Sequence, residues 1–421
     1  MKRLLLLFLI ILPDHIFAQD IVLENVLKPN RDKLFRNIVN NSINRNLSIQ
    51  LTDSTEENWE DAFGAIAFIN YRSPWIDNRL KISMDSIHNR SISFQRAMLE
   101  LIYSTYPSQF NKEVKSLLDQ TNDTKIFAMC AICLLKNTKD SAEINALFDT
   151  IKIKCTKDPG DPILNELLFQ LTPAEDKKMP PYLNEFLEKK YLQGNTLLIS
   201  FQRQNRNYPG LVMVRDGDGN FIKEADGAYF SVPQLARSIS NLPGYLTNGN
   251  TPEGIFRMDG FDHSKGSFIG PTTNIQLTMP FEFKASHFYE NNFLADTAWN
   301  INRYKNLLPE NFRQYYPMLQ AYHAGKAGRK EIIAHGTTID PAFFKTKPFF
   351  PLTPTQGCLS TKEIWSETTG RLLESDQQKL SNAIIKAGGP HGYAIVINID
   401  DKQEPVTIND IIPFLKLAMQ K

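Results

Sequence analysis

The chain changes texture once. From about residue 20 to 195, apolar positions recur at helical spacing, as in Trp59, Phe63, Ile66, Ala67 and Tyr71, and again in Phe94, Met98, Leu101 and Ile102. Such spacing puts an apolar stripe along one helix face, so this half is predicted to be helical. The second stretch leads into Val114-Lys115-Ser116-Leu117-Leu118, and a similar pair follows at 127–135 and 144–151. Phe94 and Phe127 stand 33 residues apart, an offset in the range of helix-pair solenoid repeats. Stacked pairs of that kind present a surface for a protein partner. The plainer alternative is a helical domain that packs against the rest of the chain.

Past Tyr191 the apolar runs shorten. Asn195-Thr196-Leu197-Leu198-Ile199-Ser200-Phe201 and Gly210-Leu211-Val212-Met213-Val214-Arg215 read as strands, and Asp216-Gly217-Asp218-Gly219-Asn220 as the turn that follows. That acidic turn invites a calcium reading, but a 12-residue calcium loop closes on a Glu that is missing here, so a hairpin-type turn is expected. Further strands are predicted at 254–258, 274–279, 331–335 and 393–398. Helices are predicted at 296–324 and at 374–387, the latter ending on Gly388-Gly389-Pro390. The expected fold class is α+β: an all-α domain, built as helical repeats or as a plain packed unit, over 19–195, then a mainly β domain with helical insertions over 196–421.

The first residues fit an export signal. Lys2 and Arg3 precede an apolar core over residues 4–12, and Ile16-Phe17-Ala18 makes a cleavage site, so 1–18 is read as a signal peptide. The apolar run falls short of the roughly 20 residues that a membrane span needs. An exported protein of the periplasm or cell envelope is expected. Removing residues 1–18 takes two of 47 basic and one of 46 acidic residues, leaving 45 of each. A formally neutral chain has no electrostatic reason to seek nucleic acid or an anionic membrane.

Four cysteines are too few for a disulfide framework. Cys130 and Cys133 lie within an apolar helical run, where two small buried residues are a better reading than redox or metal chemistry. Cys155 is left open as a pairing partner for one of them. Cys358 differs, because Pro354-Thr355-Gln356-Gly357-Cys358-Leu359 is a turn, and a short apolar run, Ile332-Ile333-Ala334, delivers His335 to a strand end before Gly336-Thr337. A thiol is a poor nucleophile until it loses its proton, so a Cys and a His in this order suit a nucleophile and its base. Gly357 lets the backbone bend sharply, so that the amides of Gln356, Gly357 and Cys358 are candidate oxyanion donors. Thr355 is expected to brace the turn through its hydroxyl. Lys326 and Arg329 are read as a solvated basic loop, His391 as a solvated turn residue, and the aromatics of 343–350 as either a wall for substrate or a cover for the sheet. No metal and no cofactor is called for.

These residues resemble the signature of the L,D-transpeptidase (YkuD-like) family, His-Gly-x(n)-[Ser/Thr]-x-Gly-Cys-[aliphatic]. The resemblance covers roughly 208–400 and includes Asn250-Thr251-Pro252-Glu253-Gly254-Ile255-Phe256, which looks like the Thr-Pro-x-Gly-x-Phe turn and strand of that family. It implies a compact β-sandwich-like domain with the cysteine in a surface cleft. It also implies attack by Cys358 on the bond between the third and fourth residues of a peptidoglycan stem peptide, with His335 as base and the Gly336 carbonyl orienting the imidazole. The thioester would pass to an amine or to water. The chain departs from the family in its 23-residue spacing from His335 to Cys358, in an insertion over about 284–329, and in Ser360, where many members carry Arg or Asn. Substrate-binding residues are not identified. A papain-like endopeptidase fits less well, because there the cysteine precedes the histidine. The competing expectation is a non-catalytic module on a degenerate transpeptidase fold, binding peptidoglycan or, through the helical half, an envelope protein.

Overall fold

The computed structural model describes residues 21–171, 182–289 and 298–420. The expected signal peptide lies outside the described residues, as does part of the 284–329 insertion. Helices and a strand-rich sheet make the protein α+β. No helix among the described residues is long and apolar enough to cross a membrane.

Capping side chains set the helix starts of the first half. Ser73, Ser91, Asp123, Asp140 and Asp161 each accept a backbone N–H of the first turn that would otherwise lack a partner. Between those starts run the helices Pro74–Asp85, Ile92–Thr105, Thr124–Asn137, Ser141–Lys157 and Pro162–Gln170. Phe94 and Phe127, the two ends of the 33-residue offset, are both buried. Cys130, Cys133 and Cys155 are free and buried rather than paired. Burial pushes the Cys130 thiol far up and the Cys133 thiol up to about 12, so both stay protonated at neutral pH.

The second half builds β1 (Thr196–Arg203), β2 (Gly210–Arg215), β3 (Val232–Leu235), β4 (Gly254–Asp262), β5 (Asn274–Thr278), β6 (Ile332–His335), β7 (Leu359–Thr361), β8 (Glu363–Trp365), β9 (Leu372–Ser375) and β10 (Gly392–Asp400). Eight of them close into a barrel in the order β1-β10-β4-β5-β6-β7-β3-β2, while β8 and β9 form a separate hairpin. The sandwich that the family resemblance implies is therefore replaced by a closed barrel. The parallel pairing β1–β10 joins strands from the two ends of this half, and with the parallel pair β6–β7 and the antiparallel pairs it closes the ring, so no barrel strand is left with an open edge.

All eight residues of β1 are buried, because both of its faces are covered. Leu197, Ile199 and Phe201 pack in one apolar cluster with Tyr304 and Phe312 of the insertion, while Leu198 belongs to another. That second cluster runs without a break from Trp59, Phe63 and Phe94 of the helical half, through Leu242 and Leu246, to Phe256, Ala334 and Leu359 of the barrel. The helical half and the barrel thus share one apolar core. The chain's start is tied in as well: Leu23 donates its N–H to the Gly370 carbonyl at 2.9 Å, and Val22 bridges to Arg371 beside β9.

Phe344 and Phe349 are buried with Leu235, so the aromatic insertion covers the sheet. Phe343 reaches across to Phe35 and Phe68, and so also docks the helical half. Asp216 to Asn220 forms the expected turn, with Asn220 donating its backbone N–H to Asp216 Oδ1 at 2.7 Å.

Candidate active site

Strand β6 carries the histidine. Ile332 and Ala334 face the shared core, so alternation turns Ile333 and His335 to the opposite face. The His335 ring is 4% exposed, and its Nδ1 lies 2.6 Å from the Gly336 carbonyl oxygen. A carbonyl only accepts, so Nδ1 carries the proton and Nε2 keeps a lone pair. The Gly336 carbonyl is itself held by the Gly270 N–H at 2.8 Å. Burial lowers the His335 pKa, against a smaller raising effect of the Gly336 carbonyl, so the ring is a neutral base at pH 7.

The cysteine stands immediately before strand β7. Ala334 pairs with Leu359 and His335 with Ser360 in parallel register, which sets Cys358 beside Ile333. Cys358 therefore enters the ring of strands next to β6, two residues before the partner of His335. The Cys358 thiol contacts the Glu331 carbonyl at 3.7 Å, toward the start of β6. Among the described residues it makes no hydrogen bond to His335. Burial pushes the thiol pKa up, while the Ile333 amide and the Arg329 guanidinium pull it down and Glu331 adds to the rise. The resting pair is a thiol beside a neutral imidazole.

The turn before Cys358 is heavily braced. Thr355 Oγ1 accepts the Gly357 N–H at 3.0 Å and donates to the Cys358 carbonyl at 2.8 Å. Thr251 Oγ1 donates to the Gly357 carbonyl at 2.8 Å, which places the Asn250-Thr251-Pro252 turn against the cysteine turn. The Gly357 amide, one of the three candidate oxyanion donors, is thus already engaged. Gly357 has φ +120°, and a Cβ there would run into the Arg329 guanidinium. Gln356 is exposed beside it.

Arg329 corrects the expectation of a solvated basic loop. It is 7% exposed, and its guanidinium donates to the carbonyls of Gly244, of Asn250 at 2.7 Å and of Gly249 at 3.1 Å. Burial lowers its pKa to about 10. Its neighbours in sequence, Gly328 and Lys330, gave no sign of this, because the acceptors lie some 80 residues earlier. Lys326 is exposed and reaches the Gly160 carbonyl of the helical half. Ser360 is buried and donates to the Thr353 carbonyl at 2.7 Å, so that position anchors the turn. His391 is exposed.

The helical half reaches the site through the loop that receives Arg329. Asn248 Nδ2 donates to Glu100 at 3.1 Å, Lys125 donates to Thr247 Oγ1 at 3.0 Å, and Tyr245 contacts Gln170 at 3.3 Å. Between this loop, the helices and the cysteine turn lies a cleft of about 240 Å³, lined by Glu60, Arg96, Glu100, Asn248, Thr355 and Gln356.

Comparison of the chain with protein-family models, with curated proteins and with solved structures returned no match.

Proposed function

We propose that this chain is an exported cysteine-dependent L,D-transpeptidase acting on peptidoglycan stem peptides. The observation that carries the reading is a buried histidine whose Nδ1 is held by the next residue's carbonyl, with a cysteine at the entry to the strand paired with the histidine's own. The Cys358 side chain turns from the Glu331 carbonyl toward His335 as substrate enters, since catalytic hydrogen bonds often tighten only in the complex. The thiol proton passes to His335 Nε2 as sulfur bonds to the acyl carbon. The imidazolium then gives that proton to the leaving amine as the C–N bond breaks, which leaves a thioester. An incoming amine, or water, loses a proton to His335 and displaces sulfur, and the thiolate takes the proton back. The amides of Gln356 and Cys358 are the candidates to meet the transient oxyanion.

One observation favours the competing binding-module reading: the thiol rests on Glu331 with its pKa raised. A carbapenem separates the two readings. Intact mass of the mature protein after incubation should show a drug adduct on wild type and none on Cys358→Ala. If wild type stays unmodified and its Cys358 also reacts slowly with iodoacetamide at neutral pH, the enzyme reading fails.

A further inference from the structure

The residue behind the His-Gly pair is an acid. Glu363, the first residue of β8, is 9% exposed, and its Oε1 accepts the hydroxyls of Thr272 and of Ser375, the latter at 3.0 Å. Its carboxyl lies against two glycines, and a Cβ on either Gly270 or Gly336 would run into it. These are the two residues that exchange the bond from the Gly270 N–H to the Gly336 carbonyl, the carbonyl that holds the His335 ring. The Thr337 amide faces the carboxyl, whose Oε2 has no hydrogen-bond partner among the described residues, and Trp365, two residues along β8, donates its indole N–H to the Thr337 carbonyl at 3.3 Å. Burial pushes the acid up to about 7, against the pull of these donors.

We propose that Glu363 is the positioning residue of His335: its carboxyl fixes the Gly336–Thr337 backbone from behind, so that the Gly336 carbonyl selects the Nδ1–H tautomer and leaves Nε2 facing Cys358. The inference rests on the reading of Cys358 and His335 as nucleophile and base. It explains why the histidine is followed by glycine, since the space of any side chain there is occupied by the acid. Thr272 and Ser375 both donate to Oε1, which leaves Oε2 turned toward the two glycines.

The test is the tautomer itself. Nitrogen-15 spectra of histidine-labelled protein, with His335→Gln to assign the ring, should report Nδ1–H in wild type and a loss of that tautomer in Glu363→Gln. Cys358 alkylation by iodoacetamide should slow at least tenfold at pH 7, with its pH profile displaced. Thr272→Val removes one donor and leaves the acid in place, so it should move both readouts in the same direction by less, and it serves if Glu363→Gln does not fold. A folded Glu363→Gln whose His335 tautomer and Cys358 pH profile superimpose on wild type overturns the proposal. If the tautomer shifts as expected while wild type forms no carbapenem adduct, the positioning role stands and the transpeptidase reading falls.

Discussion

Replacing Arg329 by Met removes a buried cation from between the cysteine turn and the loop that faces it. Three backbone carbonyls lose a charged donor, and hydrogen bonds to charged groups are worth about 1.5–3 kcal/mol each, or about 4–9 kcal/mol together. Against this, the pKa of Arg329 falls from 12.5 to about 10, so burying the charge costs about 3 kcal/mol, which the variant recovers. The net expectation is a loss of about 1–6 kcal/mol, read as a lowered midpoint in urea. The same guanidinium lowers the Cys358 thiol pKa, so alkylation of Cys358 should need higher pH in the variant. The position of the pH profile is the decisive quantity, because a loosened loop alone would raise the rate without moving the profile. Arg329→Lys keeps the charge but cannot span three carbonyls, so it should lose stability and hold the profile nearer to wild type. An Arg329→Met protein with a wild-type urea midpoint and a superimposable alkylation profile would refute this account.

Two further outcomes follow from buried titrating groups. Glu100, Glu253 and Glu363 are raised to about 7 and Glu166 to about 8, each from 4.5, so the fold favours the neutral acids and loses their contribution as pH rises through those values. Below pH 6.5 the depressed His323 and His335 oppose this, since they favour higher pH. Between pH 6.5 and 8 the acids outweigh the fading opposition of the histidines, and stability should fall by about 3 kcal/mol; a urea midpoint that holds or rises over that window contradicts the assignment. Of the four cysteines only Cys358 is partly exposed, so native protein should take one iodoacetamide label there and three more only on unfolding, counted by mass; native labelling of Cys130 or Cys133 would contradict their burial.

Most long elements were legible in the sequence, because each carries its own period. Gly210–Arg215 reads as a strand from its apolar run alone, and the helix Ile92–Thr105 from its stripe and its Ser91 cap. What escaped was short or interrupted. β3 contains Pro233, β7 spans only Leu359–Thr361 behind a turn, and the last helix, Ile408–Ala418, holds Pro413 inside it. Barrel closure also escaped, since β1 pairs with β10 almost two hundred residues later and no local pattern encodes that partner. At the candidate site the motif residues were legible and their supports were not. His335, Gly336, Thr355, Gly357 and Cys358 announce themselves by order and spacing. Arg329 reads as one more basic loop residue, and Glu363 as a polar position in a short strand, until the chain brings their acceptors and donors to them.

Those supports give the helical half a role inside the site. Glu100, Lys125 and Gln170 lie on three of its helices, and each meets one residue of the loop that contains Tyr245, Thr247 and Asn248. The same loop supplies the carbonyls of Gly244, Gly249 and Asn250 to Arg329, and Arg329 fills the space that Gly357 leaves open. Helix, loop, guanidinium and cysteine turn therefore form one chain of contacts, with an apolar core continuous beneath it. A lone barrel would keep His335 and its Gly336 carbonyl, which are held by Gly270 and Glu363 from within the second half. It would not keep the setting of Cys358, whose turn is braced from the far side by a loop that the helices hold. The setting of His335 is a property of the barrel, and the setting of Cys358 is a property of both halves together.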